Sequence, residues 1–434
     1  MLQIGGYELI IFLLSLIGFF LLLIIGFPVA FSLGIVTALM FVIKGYSLTQ
    51  LPHLMTTGME SFVLIAVPFF ILTGKLMNIT QLTDYLFDFA DKCTGHLKGG
   101  LGHVNILASL FFSGVSGSAL ADVQGLGLVE IKAMTDKGYD INFSAAVTIA
   151  SSTIGPIVPP SIPMVIYAVI AEQSVGKLFL GGFIPGIIMT VGMMILVYII
   201  ATKKKLPTSS SRPTILDFIK SFIRAVPALI IPIILLGAII FGIATPTEIG
   251  AISIVYILII NAMLFRRFDW HKYWIAIKET VYSTASILII ISIASVYGKL
   301  LAMEQVPQAI AYYVLSLSKS PIIFLVIVNL LLLFLGCFLE STAIMVIMLP
   351  ILLPIATSLN VNLVHFGIIV VLVLMIGLIT PPFGLSLFAI SDMTKIPISK
   401  ILPDLLPFYI PLLITLLIVT FFPKLIMFLP NLIK

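Results

Sequence analysis

Charge is scarce in this chain: of 434 residues only 9% are Asp, Glu, Lys or Arg, against about 25% in a soluble domain. A soluble globular domain is therefore excluded. The net charge of +5 does not point to nucleic acid, because in an apolar chain basic residues mark cytoplasmic loops. Cysteine is nearly absent as well. Cys93 and Cys337 stand far apart with no metal-type spacing, which argues against a disulfide framework or a zinc site. HExxH, the P-loop and GxGxxG are all missing, so zinc proteolysis, nucleotide hydrolysis and dinucleotide redox chemistry have no motif. No basic n-region precedes the first apolar run, and that run is long enough to span, so no signal peptide is expected.

What is present is apolar: 60% of residues are hydrophobic, spread over the whole length. That pattern predicts an all-α polytopic membrane protein. Spans are expected at Tyr7–Gly26, Pro28–Ile43, Phe62–Met77, Leu178–Thr202, Pro227–Ala244, Ile249–Leu264, Val281–Met303 and Ile401–Phe422. Leu51–Glu60 reads as interfacial, and Thr83–Cys93 and Gln305–Leu317 as amphipathic. The polar run Lys203–Thr214 divides the chain.

Two kinds of interruption stand out. His103–Phe112 and Leu120–Met134 are short apolar arms joined by Ser and Gly, which reads as a re-entrant hairpin. Ile322–Leu335 and Ala343–Leu359 form a second pair of arms. Phe143–Ile154 is broken by IGPIVPPSIP before Met164–Glu172, and Val364–Ile379 is broken by TPPFG before Leu385–Met393. Proline forbids a continuous helix there. Broken backbone at membrane depth persists only where it is buried in protein or lines a cavity.

The two halves align. IGPIVPP at 154–160 matches IGLITPP at 376–382 at an offset of 222, which also pairs Gly114 with Gly336, Ala121 with Ala343 and Pro185 with Pro407. Gly74-Lys75-Leu76 matches Gly298-Lys299-Leu300 at 224. With the 203–214 loop in the cytoplasm, most of the Lys and Arg fall inside. Phe62–Met77 and its mate Val281–Met303 then run in opposite directions. Inverted repeats with paired broken helices predict a secondary transporter whose sites lie near the midplane.

One expected site combines the tip Ser113–Ser118 with Gly155–Ser161; the other combines Gly336–Thr342 with Gly377–Gly384. Unwound backbone frees carbonyl oxygens, and Ser and Thr add hydroxyls, a donor set suited to Na⁺. Helix N-termini facing the break suit an anionic substrate. Close packing by small residues is the competing reading. Among polar and acidic residues, Ser118, Asp122, Ser161, Glu340, Ser341, Thr342 and Asp392 are candidates for substrate or coupling roles. Asp122 and Asp392 are divided between capping and function. Gly-Val-Ser-Gly at 114–117 also permits an intramembrane serine hydrolase using Ser116, but a nucleophile needs a base within reach. His365 is the one histidine on a later apolar helix.

FFSGVSGSALADVQGLG, IGPIVPPSIPMVIYA, the GCFLES hairpin with Pro350 and Pro354, and GLITPPFGLSLF together resemble the large membrane subunit of the tripartite ATP-independent periplasmic (TRAP) transporters, essentially from end to end. The resemblance implies a small four-helix membrane subunit as a separate chain and a periplasmic binding protein that delivers an organic acid such as a C4-dicarboxylate or a sugar acid. It implies Na⁺ as the coupling ion, no other cofactor, no enzymatic activity, a bacterial inner-membrane location and an elevator motion. By motif, one Na⁺ site maps onto Ser113, Ser116, Gly155, Val158 and Pro159, and the other onto Gly336, Gly377, Thr380 and Phe383. The moving domain is expected at 61–177 and 281–400, with scaffold at 1–60, 178–280 and 401–434. A transporter of another family, working without a binding protein, shares the same inverted-repeat plan.

Overall fold

A computed structural model describes residues 4–80, 82–208, 212–265, 269–317 and 319–432, with side chains except those of 4–9, 113–116, 265, 313 and 315–317. The regular secondary structure among the described residues is helical. A bilayer requires this, since each peptide group must find its partner within its own segment.

The chain opens with α1 (Ile4–Ile24), α2 (Val29–Ile43) and α3 (Gln50–Met59). A first series then runs from a 3-10 turn at Phe62–Ile65 into α4 (Ala66–Ile79), α5 (Leu82–Thr94), α6 (Gly100–Ser116), α7 (Ala119–Gly125), α8 (Gly127–Asp136), α9 (Ile141–Ser152) and α10 (Ile162–Ile170). Three long helices follow: α11 (Val175–Lys204), α12 (Ile215–Ile240) and α13 (Pro246–Ile260). The second series is α14 (Trp270–Met303), α15 (Val306–Leu317), α16 (Pro321–Gly336), α17 (Ser341–Ser358), α18 (Leu363–Leu378) and α19 (Leu385–Thr394). Helices α20 (Ile398–Leu405), α21 (Tyr409–Phe421) and α22 (Pro423–Ile426) close the chain. Each series has the same order: arm helix, amphipathic helix, hairpin, broken helix. Among the described residues, 7 helical stretches are long and apolar enough to cross a membrane.

The broken helices sit at the centre. Every residue of α18 from Val364 to Leu378 is buried, as is α9 from Phe143 to Ser152. The two series cross over. Helix α10 of the first packs on α17 of the second, and α19 packs on α7. The arm helices α4 and α14 pack against each other.

Two helices begin earlier than expected. Helix α12 begins at Ile215 rather than near Pro227, because Thr214 and Asp217 form a capping box and the helix runs through Pro227 and Pro232. Helix α14 begins at Trp270 rather than Val281, capped by the Asp269 side chain. Helix α17 is continuous through Pro350 and Pro354 over 18 residues, so the second hairpin has one arm of spanning length. The Pro350 ring lies against Gly298 of α14, where a Cβ would come 3.1 Å from it. A glycine there leaves room for the ring.

Candidate functional site

Both hairpin tips are tied to their breaks by backbone. The Ile162 N–H donates to the Gly117 carbonyl at 3.2 Å, and the Gly384 N–H donates to the Cys337 carbonyl at 3.1 Å. The two donors are related by the offset of 222. Both breaks carry a cis peptide, Pro159–Pro160 and Pro381–Pro382. At the first tip Gly117 takes φ +59, and a Cβ there would meet the Pro160 carbonyl oxygen at 2.6 Å. Only glycine fits that conformation and that gap.

At the first site a polar ladder joins α6 to α9. The Asn105 amide donates to Thr148 Oγ1 at 2.7 Å and accepts from the Ser151 hydroxyl at 2.7 Å; Ser109 donates to Ser151 Oγ at 3.0 Å. All four residues are buried, so each bond replaces water that the interior denies. Asp122 is buried, with its carboxylate against Gly155, where a side chain would collide with Oδ2. Its charged neighbour is Glu130, only 2% exposed. Val158 packs against Gly186 of α11, and Pro159 is buried. The side chains of Ser113 and Ser116 lie outside the described residues.

The second site is held by close approach. A Cβ on Gly377 would come 2.7 Å from the Gly336 Cα, so α16 and α18 touch backbone to backbone. The Thr380 N–H donates to the Gly377 carbonyl at 2.9 Å and its hydroxyl to the Ile376 carbonyl at 2.6 Å. Phe383 is 52% exposed and its ring packs on Phe338 and Phe388. Glu340 caps α17. Its carboxylate accepts from the N–H groups of Thr342 and Ala343 and from the hydroxyls of Ser341 and Thr342, at 2.9 to 3.3 Å.

Between the two tips and the arm helices lies a chamber of about 800 Å³. Helix α4 presents Ile71, Gly74, Lys75 and Asn78 to it, one helical face by spacing. Helix α14 presents Lys272, Ile275, Ala276, Glu279, Ser283 and Ile287. The chamber thus reaches from the hairpin tips to Lys272 in the first turn of α14. Ser118, Gln124, Glu340, Ser341 and Thr342 line its core side.

Ser118, Glu340, Ser341 and Thr342 are therefore brought together at one chamber. Three other candidates for substrate or coupling roles do not line it. Ser161 is fully buried and caps α10, accepting from the Met164 N–H while donating to the Pro156 carbonyl. Asp122 faces Gly155 rather than the chamber. Asp392 lies outside it, paired with Lys395 at 2.7 Å with both side chains exposed. His365 places its Nε2 2.7 Å from the Val419 carbonyl, a structural use that leaves the hydrolase reading without support. Sequence reasoning missed Lys75, Asn78, Gln124, Glu279, Ser283, Glu130 and the Asn105 ladder. Lys75 and Glu130 had a legible signal, being charged residues inside apolar helical runs.

Comparison with known proteins adds the following. Residues 16–425 match the family described as "Tripartite ATP-independent periplasmic transporter, DctM component". The chain is 43% identical over 423 residues to the sialic acid TRAP transporter large permease protein SiaM of Vibrio cholerae, covering 96% of this chain and 98% of that one. It is 39% identical over 372 residues to the C4-dicarboxylate TRAP transporter large permease protein DctM of Pseudomonas aeruginosa, covering 86% and 87%. Among solved structures, the Alcanivorax borkumensis YdaH transporter aligns with a TM-score of 0.61 at 14% identity, covering 87% and 88%. That last likeness concerns the fold alone.

Proposed function

This chain belongs to the DctM-component family of tripartite ATP-independent periplasmic transporters, as a multi-pass large permease of the inner membrane, and from that premise we propose that it couples uptake of an organic acid to Na⁺. The observation that carries the proposal is the duplicated junction of hairpin tip and broken helix. At each junction the helix is unwound, buried throughout 154–161 and partly open at Thr380–Phe383, and unwound carbonyls and hydroxyls can replace the water shell of a hard cation there. Na⁺ bound at Gly155, Val158, Pro159 and the tip serines, and at Gly336, Gly377, Thr380 and Phe383, would hold each tip against its break. The substrate would lie in the chamber, whose Ser118, Gln124, Ser341 and Thr342 suit a hydroxylated acid. The sialic acid and C4-dicarboxylate named for the relatives are both organic acids. Residues 61–177 and 281–400 would slide as one body against the scaffold. A small membrane subunit and a periplasmic binding protein complete the assembly.

The test is reconstitution of the chain with its small subunit in liposomes, with loaded binding protein outside and radiolabelled N-acetylneuraminate or succinate as substrate. Uptake is expected only with an inward Na⁺ gradient. Equal uptake when choline replaces Na⁺ would overturn the coupling. Ser116→Ala is expected to raise the Na⁺ concentration for half-maximal uptake about tenfold, the loss of one ligand (~1.4 kcal/mol).

A further inference from the structure

We infer that Lys75 is the group that receives the substrate's acid function in this chamber, and that its ion pair with Glu279 is the resting state of an exchangeable site. The inference rests on the organic-acid reading above and assigns the anion a specific partner. Lys75 Nζ lies 2.6 Å from Glu279 Oε2, the pair joining α4 to α14 across the chamber wall. The lysine side chain is 30% exposed and the glutamate 55%. Lys75 is thus partly sunk in the wall with its partner turned to solvent.

The other charged groups of the chamber are placed differently. Glu340 is occupied in capping α17. Lys272 stands at the mouth, 64% exposed and within 3.9 Å of Asp269. One turn beyond Lys75, Asn78 touches the core, since a Cβ at Gly125 would come 2.6 Å from its amide nitrogen. Lys75 therefore stands where arm helix and hairpin meet. A substrate carboxylate or sulfonate entering the chamber offers Lys75 the same chemistry as Glu279, an acid oxygen on an ammonium. Exchanging one acid for another keeps the lysine paired throughout, and Glu279, already half in solvent, is left hydrated. The repeat supplies a mate. Lys299, at the offset of 224, donates to the Thr57 hydroxyl at 3.0 Å and does not line the chamber.

The experiment reads local charge without requiring the natural substrate. Cys93 and Cys337 are replaced, Ser283→Cys is introduced on the chamber wall, and the chain is expressed with its small subunit. Inside-out vesicles are then labelled with anionic ethylsulfonate and cationic trimethylammonium-ethyl methanethiosulfonates. The anionic-to-cationic rate ratio is expected to fall roughly tenfold in Lys75→Met, the effect of one unit charge at chamber distances. It should stay unchanged in Lys75→Arg and Lys299→Met and rise in Glu279→Gln, which frees the lysine. N-acetylneuraminate, succinate and isethionate are tried as protectants; whichever protects the introduced thiol should lose that protection in Lys75→Met. An unchanged ratio in Lys75→Met, or in Glu279→Gln if Lys75→Met does not fold, overturns the inference. Failure of Na⁺-driven uptake with an intact charge effect would instead count against the transport reading.

Discussion

At the first hairpin, α6 is joined to α9 by hydrogen bonds running through Asn105, Thr148, Ser151 and Ser109. At the second, α16 meets α18 through the bare backbones of Gly336 and Gly377. The repeat offset of 222 places Ile327, Leu331, Val370 and Val373 at the four ladder positions, so the ladder has no counterpart. The carboxylates differ too. Asp122 lies buried beside Gly155, whereas Glu340 is spent on a helix cap. One junction is therefore fixed by direction-specific polar bonds and the other by shape. The two junctions share a tip-to-break backbone bond and a cis proline pair, and differ in how they are held.

The comparison is broken most severely at Gly377. Gly377→Ala puts a Cβ within 2.7 to 2.9 Å of Gly336 backbone atoms, and backbone cannot swing aside as a side chain can. Helices α16 and α18 must separate, at a cost of about 3 kcal/mol. The expected outcome is loss of monodisperse protein, or a markedly lower melting midpoint in detergent with uptake abolished. Gly237→Ala, where nothing lies within 4 Å, should melt like the parent chain.

Next is Asn105→Ala. It removes two buried hydrogen bonds, to Thr148 and from Ser151, while Ser151 keeps the Thr148 carbonyl and Ser109 as partners, a loss of about 2 kcal/mol. Ile327→Ala, at the corresponding position of the second repeat, is 53% exposed and should cost less. A thermal-shift comparison of the pair in the same detergent checks this. Equal losses would mean that the ladder contributes no more than ordinary packing.

Glu340 sharpens the comparison from the other side. As a cap, it should tolerate Glu340→Asn, since asparagine caps well, while Glu340→Ala should cost about 1 kcal/mol. If Glu340→Asn keeps stability but abolishes the Na⁺ dependence of uptake, the carboxylate acts in coupling and the second site carries a functional acid after all.

The spans, both breaks and both hairpins are legible in the sequence because proline and apolar length act locally. The ends of α12 and α14 are not. The stretches before the expected starts carry Lys220, Lys272 and Glu279, which sequence reads as loop, yet caps at Thr214 and Asp269 extend the helices across them. Glycine and serine marked where the tips lie. The roles of Ser161 and Glu340 were hidden, because a hydroxyl or carboxylate at a helix start looks alike in sequence whether it caps or binds. Lys75 was legible as a repeat anchor and as a charge inside an apolar run, but not as a member of a pair. Its meaning depends on Glu279, 204 positions away, and on the helix crossing that makes them neighbours.

The smallest effect is expected at Asp392, where the second repeat carries an acid and the first, at the offset of 222, carries Ile170. Sequence alone makes this a promising asymmetry, a carboxylate ending a broken helix. The structure places it on the surface, 82% exposed, with Lys395 one turn on and 79% exposed. Water solvates both groups and salt screens them, so such pairs contribute little to stability. Asp392→Asn should therefore leave melting, uptake rate and Na⁺ titration unchanged, while Lys395→Met should do the same. A shifted Na⁺ midpoint in Asp392→Asn, absent in Lys395→Met, would isolate the carboxylate from its pair. It would also extend the difference between the repeats from how the junctions are held to how they read the ion.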